Sequence, residues 1–195
     1  MIGVKKVSGF SLVEMLITIT IFAILSVVLA QIFISFNRLQ RQVSNRAVLG
    51  QDMRFATELL IRSARNNQID YSTSYPTRTG TLKLLTPTGS SIQIGVRPGG
   101  GAGDCQDATV TQCLALSLDN GSTWSPITAK RVQVENFDVY VRPSSSPFAS
   151  SGGTYTSNVQ PFATINIRLK YISTTPTDTI TLQAQTTVSS RVYLR

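Results

Sequence analysis

The feature that most constrains this chain is an apolar run over residues 10–36, FSLVEMLITITIFAILSVVLAQIFISF, whose one charged side chain is Glu14. A helix of roughly 20 apolar residues is long enough to cross a bilayer, and this run is longer. Lys5 and Lys6 come shortly before it, separated from it by three uncharged residues. Because positive residues stay on the cytoplasmic side, we expect the N-terminus to be cytoplasmic and the rest of the chain to lie across the membrane.

Two ordinary interpretations of the run leave features unexplained. A secretory signal peptide has an apolar core of about 7–15 residues that ends at a small-x-small cleavage site. The present run is longer, and no clear site of that kind precedes Arg38. A plain single-pass anchor accounts for the length but not for Glu14, because an acidic residue in the hydrocarbon costs on the order of 2.5–3.5 kcal/mol.

The segment KKVSGFSLVEMLITITIFAILSVVLA, residues 5–30, resembles the N-terminus of the type IV pilin superfamily, which includes the pseudopilins of type II secretion. That family has a short basic leader ending in glycine, followed by phenylalanine, a small hydroxyl residue, leucine, an aliphatic residue and glutamate. The matching positions here are Gly9, Phe10, Ser11, Leu12, Val13 and Glu14.

The resemblance implies a processing and assembly route. A prepilin peptidase would remove residues 1–9 by cutting between Gly9 and Phe10, and would N-methylate the new α-amine of Phe10. Glu14 would then neutralise the Phe10 amine of a neighbouring subunit, so that two groups that are costly in lipid become one pair. The implied partners are other pilin or pseudopilin subunits, the prepilin peptidase, an inner-membrane assembly platform and the lipid bilayer.

The same resemblance implies a location. The chain would cross the bacterial inner membrane once and carry its remaining domain into the periplasm or the extracellular space. Many major pilins have a proline about two-thirds along the apolar run, where this chain has Gln31. The run contains no proline, which predicts a more continuous helix and favours a minor subunit or a pseudopilin.

Residues 37–67 continue the helix as a soluble, amphipathic half that is expected to end near Asn66. Apolar residues recur at spacings of three and four, which predicts one stripe able to cover a sheet. Glu58 and Arg62 have the spacing of an exposed helical ion pair. The predicted stripe comprises Leu39, Val43, Ala47, Gly50, Met53 or Arg54, Ala56, Leu60 and Ala64.

Residues 68–195 have the pattern of a β-rich head domain. Residues 81–96 predict a hairpin, residues 132–143 a strand with a bulge near Glu135–Asn136, and residues 162–188 a second hairpin. The fold class is therefore α+β, with a long N-terminal helix packed on an antiparallel sheet. The order of these elements is similar to that of minor pseudopilins of the J type.

The glycine-rich segment of residues 97–113 contains both cysteines. Cys105 and Cys113 would close a short loop as a disulfide in an oxidising exported space, with free thiols as the alternative. Asp104 and Asp107 raise an alternative of calcium binding, but two aspartates are a weak signal and we expect no metal. "SSSPFASSGG", residues 144–153, predicts a surface loop.

No catalytic constellation is recognisable, since the chain has no histidine to activate its serines. We expect no cofactor and no enzymatic activity. Arginines at positions 38, 41, 46, 54, 62 and 65 could bind DNA phosphates, but no aromatic residues are interleaved with them to stack bases, so a solvated face is favoured.

The expected function is structural, in a type II secretion pseudopilus. The alternatives are a minor pilin for motility, adhesion or DNA uptake, and a single-pass anchored binding protein.

Overall fold

A computed structural model describes residues 9, 11–75, 77–99, 105–107, 109–147, 150–151, 154–155, 159–173 and 179–191. The chain divides into two compact units, Met1–Ser44 and Asn45–Arg195. The first unit consists of the first part of a helix. The second contains the rest of that helix and the strands.

The helix α1 spans Leu12–Asn66 without interruption. No proline occurs within these bounds, so each backbone N–H beyond the first turn has a carbonyl partner four residues earlier. The helix ends at Asn66, and the next residue, Asn67, returns its side-chain amide to the Ser63 carbonyl at 2.8 Å. The predictions of a continuous helix and of its C-terminal end are confirmed.

One face of α1 is buried in the second unit, but it differs in part from the predicted stripe. Leu39, Val43 and Ala47 are exposed, so their assignment to the covered stripe was wrong. The buried face begins at Leu49, one position before the predicted Gly50. Of the two predicted alternatives at the next turn, Met53 is buried and Arg54 is exposed. Its buried side chains are those of Leu49, Met53, Ala56, Leu60 and Ala64.

The first described sheet has five antiparallel strands in the order β1-β2-β3-β4-β5. The strands β2 and β3 form the predicted hairpin, with Leu82 and Leu84 buried, and a turn at Gly89 that has the positive φ favoured by glycine. The bounds are β1 Gln68–Ile69, β2 Thr81–Leu85, β3 Ser91–Pro98, β4 Gln112–Ser117 and β5 Ser125–Pro126.

The second described sheet has three antiparallel strands in the order β10-β9-β6, with bounds β6 Val132–Arg142, β9 Phe162–Tyr171 and β10 Ile180–Ser189. The register between β6 and β9 shifts between Val134 and Asn136, which confirms the predicted bulge. The strands β9 and β10 form the second predicted hairpin, and alternate residues of β9 are buried. An isolated bridge between Thr79 and Val139 joins β6 to the segment before β2.

The segment over residues 144–153 contains more structure than the predicted surface loop. Ser150–Ser151, β7, pairs with Thr154–Tyr155, β8, as a short antiparallel ladder. The many serines and glycines of this segment predicted a loop. Strands this short contain no alternating pattern of apolar residues by which the sequence could reveal them.

A single hydrophobic cluster joins the covered face of α1 to both sheets. It includes Leu60 of the helix, Leu84 and Ile94 of the first sheet, and Ile165 and Leu169 of the second. Full burial of one such side chain stabilises a fold by about 1.5–3 kcal/mol. The α+β architecture, a long helix followed by antiparallel sheets, is therefore confirmed and is consistent with a pilin-like fold.

Candidate functional site

The predicted processing site lies just before α1. Gly9 is exposed, and apart from its chain neighbours no atom of the described residues lies within 4 Å of the position that a Cβ on it would occupy. Phe10, the predicted site of cleavage and N-methylation, lies outside the described residues. The helix begins two residues later at Leu12. A glycine in open surroundings directly before a helix offers a peptidase an unobstructed backbone.

Ser11 caps the start of the helix. Its carbonyl oxygen accepts hydrogen bonds from the backbone N–H groups of Glu14 at 3.1 Å and Met15 at 3.2 Å. Its Oγ accepts a further bond from the Glu14 N–H at 3.3 Å. Ser11 and Glu14 thus have the Ser-x-x-Glu spacing of a capping box. We did not predict this cap, although the spacing is visible in the sequence.

The cap gives Glu14 a local role beside the one implied by the family resemblance. An acidic group in the first turn interacts favourably with the helix dipole, and an N-cap contributes typically about 1 kcal/mol. The cost of an acidic residue at the centre of a bilayer is about 2.5–3.5 kcal/mol. Capping offsets only part of that cost, and the assembly role that the family resemblance implies for Glu14 stays a prediction.

The apolar part of α1 meets the physical requirements for a membrane span. It is the one helix among the described residues that is long and apolar enough, with a mean hydropathy of 2.6 over its best window. Its hydroxyl groups donate to carbonyls of the same helix: Thr18 to Met15 at 2.9 Å, and Ser26 to Phe22 at 2.8 Å. Such internal bonding is what polar groups need in hydrocarbon.

In the second unit, Cys105 and Cys113 are joined in a disulfide. The loop they close approaches the main chain at Gly99, where a Cβ would come within 1.8 Å of the Val110 carbonyl oxygen. The Gly99 N–H donates to the Thr111 carbonyl at 2.8 Å. A glycine is therefore required at position 99 for the loop to pack in this way.

The calcium alternative finds no further support in this loop. Asp107 Oδ1 accepts bonds from the N–H and the hydroxyl of Thr109 at 2.9 and 2.8 Å, and these bonds lower the pKa of Asp107. No cluster of three potential metal ligands occurs among the residues that the structure describes. Asp104 lies outside them.

Asp119 organises the turn between β4 and β5, a role that sequence reasoning missed. Its carboxylate accepts bonds from the Thr123 hydroxyl at 2.6 Å, the Thr123 N–H at 2.8 Å and the Ser117 hydroxyl at 2.7 Å. These bonds lower the pKa of Asp119 to about 2. Beside this turn, the Arg97 guanidinium lies 4.6 Å from the ring centre of Trp124.

Asp52 connects α1 to the head. Its Oδ2 accepts a 2.7 Å hydrogen bond from the backbone N–H of Ala129, just before β6. Partial burial raises the pKa of Asp52, and the bond from Ala129 lowers it by less. The sequence does show an acidic residue next to Met53, a position of the predicted apolar stripe. It cannot show which backbone N–H donates a hydrogen bond to that acidic residue.

The arginine-rich surface of α1 has one described ion pair, between Arg62 Nη2 and Glu58 Oε1 at 2.8 Å, as the spacing predicted. Both side chains are largely exposed, so the pair contributes little to stability. Arg41, Arg46 and Arg54 are also exposed. These positions are compatible with a solvated face.

Comparison with known proteins gives a match to a family model at the N-terminus. The prokaryotic N-terminal methylation motif matches residues 4–30, which include Gly9, Phe10 and Glu14. No curated protein and no solved structure matched the chain. The motif is of the type IV pilin type, and together with the long apolar helix it supports a membrane-anchored, pilin-like or pseudopilin subunit in general.

Proposed function

We propose that the chain is a structural subunit of a type IV pilus-like filament, matured by removal of residues 1–9 and N-methylation of Phe10. The observation that carries this proposal is the match of residues 4–30 to the methylation motif, directly joined to an apolar helix that begins at Leu12. The proposed divisions are a leader over residues 1–9, a filament-core helix over 10–36, a soluble helix over 37–67 and a head over 68–195.

Maturation would change the electrostatics of the helix start. Hydrolysis of the Gly9–Phe10 bond leaves a charged α-amine on Phe10, four residues before Glu14. In an assembling filament, the Glu14 carboxylate of an incoming subunit would meet the Phe10 amine of a subunit already in place. Because each charge alone is costly in lipid, the pair favours one axial register between subunits.

The charge of the N-terminus and the disulfide support the proposed orientation. Lys5 and Lys6 favour a cytoplasmic N-terminus, with the head in the periplasm or outside the cell. The Cys105–Cys113 disulfide agrees with an oxidising compartment. The prepilin peptidase and the assembly platform of the inner membrane would act on the cytoplasmic and membrane-embedded part of the chain.

Among filament systems, we propose a minor pseudopilin of a type II secretion pseudopilus, similar to the J type. The uninterrupted helix Leu12–Asn66, which lacks the proline of many major pilins, favours this choice. The second candidate is a minor pilin of a pilus for motility, adhesion or DNA uptake. Within that class, the exposed arginines of α1 are the groups that could contact DNA phosphates, although a solvated face is the favoured interpretation of them.

A matched pair of substitutions tests the assembly step. Glu14→Gln removes the carboxylate charge while keeping the side-chain size, and Glu58→Gln makes the same change at the exposed ion pair of the soluble half. In cells that carry the complete filament system, we expect Glu14→Gln to be inserted and cleaved but lost from the sheared filament fraction. Glu58→Gln should assemble normally. Normal assembly of Glu14→Gln would contradict the proposal.

A further inference from the structure

Besides the short β7–β8 ladder, the two larger described sheets end in four edge strands, and three of these are protected from pairing with other chains. Exposed edges are commonly blunted by short length, bulges, charges or covering segments. The edge strands β1 and β5 of the first sheet are each two residues long. The edge strand β6 of the second sheet is bulged near Glu135 and is bridged at Val139 by Thr79.

The fourth edge strand, β10, has none of these protections. It extends over Ile180–Ser189 and pairs with β9 in unbroken register through all ten residues. Its sequence, ITLQAQTTVS, contains no charged residue, proline or glycine. Within the described part of the chain, no segment pairs with the outer edge of β10.

The strand is held in place at its C-terminal end. The Ser190 hydroxyl donates to the Asn67 carbonyl at 2.8 Å, and the Arg191 N–H donates to the Arg65 carbonyl at 3.1 Å. Both acceptors lie at the end of α1. A long edge that is already extended and fixed needs little ordering to receive another strand, which lowers the entropic cost of binding.

The exposed face beside this edge presents one arginine side chain. Arg168 reaches from β9 across to β10, where its Nη2 donates to Gln183 Oε1 at 2.8 Å. Gln183 in turn donates to Asn166 Oδ1 at 3.1 Å. Among the described residues, no carboxylate lies within ion-pair distance of Arg168. A charged group therefore stands next to the free edge without a counterion from the described chain.

We propose that the outer edge of β10 binds an extended segment of a different protein chain as an additional strand. That segment would carry a carboxylate side chain on the polar face, opposite Gln183, where it can pair with Arg168. Main-chain hydrogen bonds to β10 would supply affinity, and the carboxylate would supply selectivity and register. This inference concerns a docking surface of the head and does not depend on filament assembly.

A second copy of β10 is a poorer occupant. Two copies of β10 can pair in antiparallel fashion about a two-fold axis. That axis is perpendicular to the sheet if the polar faces of both copies are to lie on the same side of the joined sheet. Such a copy would present only β10 to the edge, and β10 contains no carboxylate that could pair with Arg168.

Labelled peptides can test the proposal on the full chain in detergent micelles. The probe is a capped peptide of the length of β10, with alternating valine and threonine and one central glutamate. Two control peptides carry lysine in place of glutamate, or N-methyl groups on alternate backbone amides. Fluorescence anisotropy measures binding, and hydrogen exchange reports which amides become protected.

We expect the glutamate peptide to bind and to slow amide exchange within residues 180–189 but not within β6. The lysine peptide should bind about fivefold more weakly, and Arg168→Gln should remove that difference. Gln185→Lys, which places a charge on the edge strand, should weaken binding about tenfold. The matched control Ser145→Lys, at an exposed position outside the strands of both sheets, should have no effect.

Three outcomes would overturn the proposal. Equal binding of the N-methylated peptide would show that no main-chain pairing occurs. Equal binding of the glutamate and lysine peptides would remove the role of Arg168. Failure of all peptides, combined with sedimentation as a dimer that Gln185→Lys dissociates, would assign the edge to a second copy. None of these results depends on whether Glu14→Gln blocks filament assembly.

Discussion

The two halves of α1 show how one continuous helix can have two different environments. Leu29, in the first half, is 65% exposed, whereas Leu60, in the second half, is 1% exposed. The two side chains are chemically identical and lie in the same uninterrupted helix. The second half is covered by the sheets of its own chain, whereas the first half needs lipid or other subunits to cover it. Fold stability and assembly should therefore be separable by position along the helix.

Matched leucine substitutions should produce the largest separation. Leu60→Ala should lower the free energy of unfolding of the head by about 2–5 kcal/mol, because it leaves a cavity between α1 and both sheets. Leu29→Ala should leave that quantity within about 0.5 kcal/mol of the starting chain. Denaturant unfolding of the full chain in micelles, followed by Trp124 fluorescence, measures both. Equal destabilisation by the two substitutions would contradict the comparison.

Reduction of the disulfide should have the next largest effect, and only on the head. A covalent link across a short loop of this size is worth about 2–3 kcal/mol in the chain-entropy treatment. We expect a reductant to lower the free energy of unfolding by that amount without changing insertion of the helix into membranes. A Cys105→Ser/Cys113→Ser chain should be insensitive to the reductant. An equal response of this control would assign the effect to another cause.

Acid should weaken the head through Asp119. The pKa of Asp119 is lowered from an ordinary 3.8 to about 2 in the folded head, so the carboxylate form is favoured by folding. Its contribution is present above the unfolded pKa and is lost as the pH falls from about 4 towards 2. Thermal melting against pH should show a smaller acid-induced loss in Asp119→Asn. An unchanged pH profile would mean that the turn does not control acid stability.

Asp52 should act in the opposite direction at the contact between α1 and the head. Burial raises its pKa, so the folded head binds the proton more tightly than the unfolded chain does. Its ionisation therefore reduces stability as the pH rises through and above the ordinary value of 3.8. Asp52→Asn should remove this decline in a melting profile. A decline that survives the substitution would place its origin elsewhere.

The exposed ion pair of α1 should have the smallest effect. Glu58→Gln breaks the bond to Arg62, and we expect a change of about 0.3–0.5 kcal/mol in the free energy of unfolding. The effect should shrink in high salt, because both side chains are exposed. A change above about 1 kcal/mol that persists in salt would show that this surface is covered.

Periodicity alone predicted much of the fold. The hairpin at Gly89, the bulge after Val134 and the alternating burial of β9 follow from residue patterns that are local in the chain. The buried face of α1 was harder. A period near 3.6 fits both Leu49 and Gly50, and only contact with the sheets selects Leu49.

The candidate site was predictable to a similar extent. Gly9 and Glu14 could be selected as candidates because the N-terminal motif is a compact run of residues. The contacts of Asp52 and Asp119 were missed for different reasons. Asp52 meets Ala129, a backbone group far away in sequence that only folding brings close. Asp119 meets near neighbours, but turn composition does not show which side chain will accept their hydrogen bonds.

The most direct test of the account is the intact mass of the mature chain, purified from membranes of cells that contain the prepilin peptidase. The account predicts a chain that begins at Phe10 and carries one added methyl group on its α-amine. Gly9→Leu, which places a bulky side chain before the cleaved bond, should retain residues 1–9. A mature chain that still begins at Met1, or one that begins at Phe10 without the methyl group, would contradict the central claim.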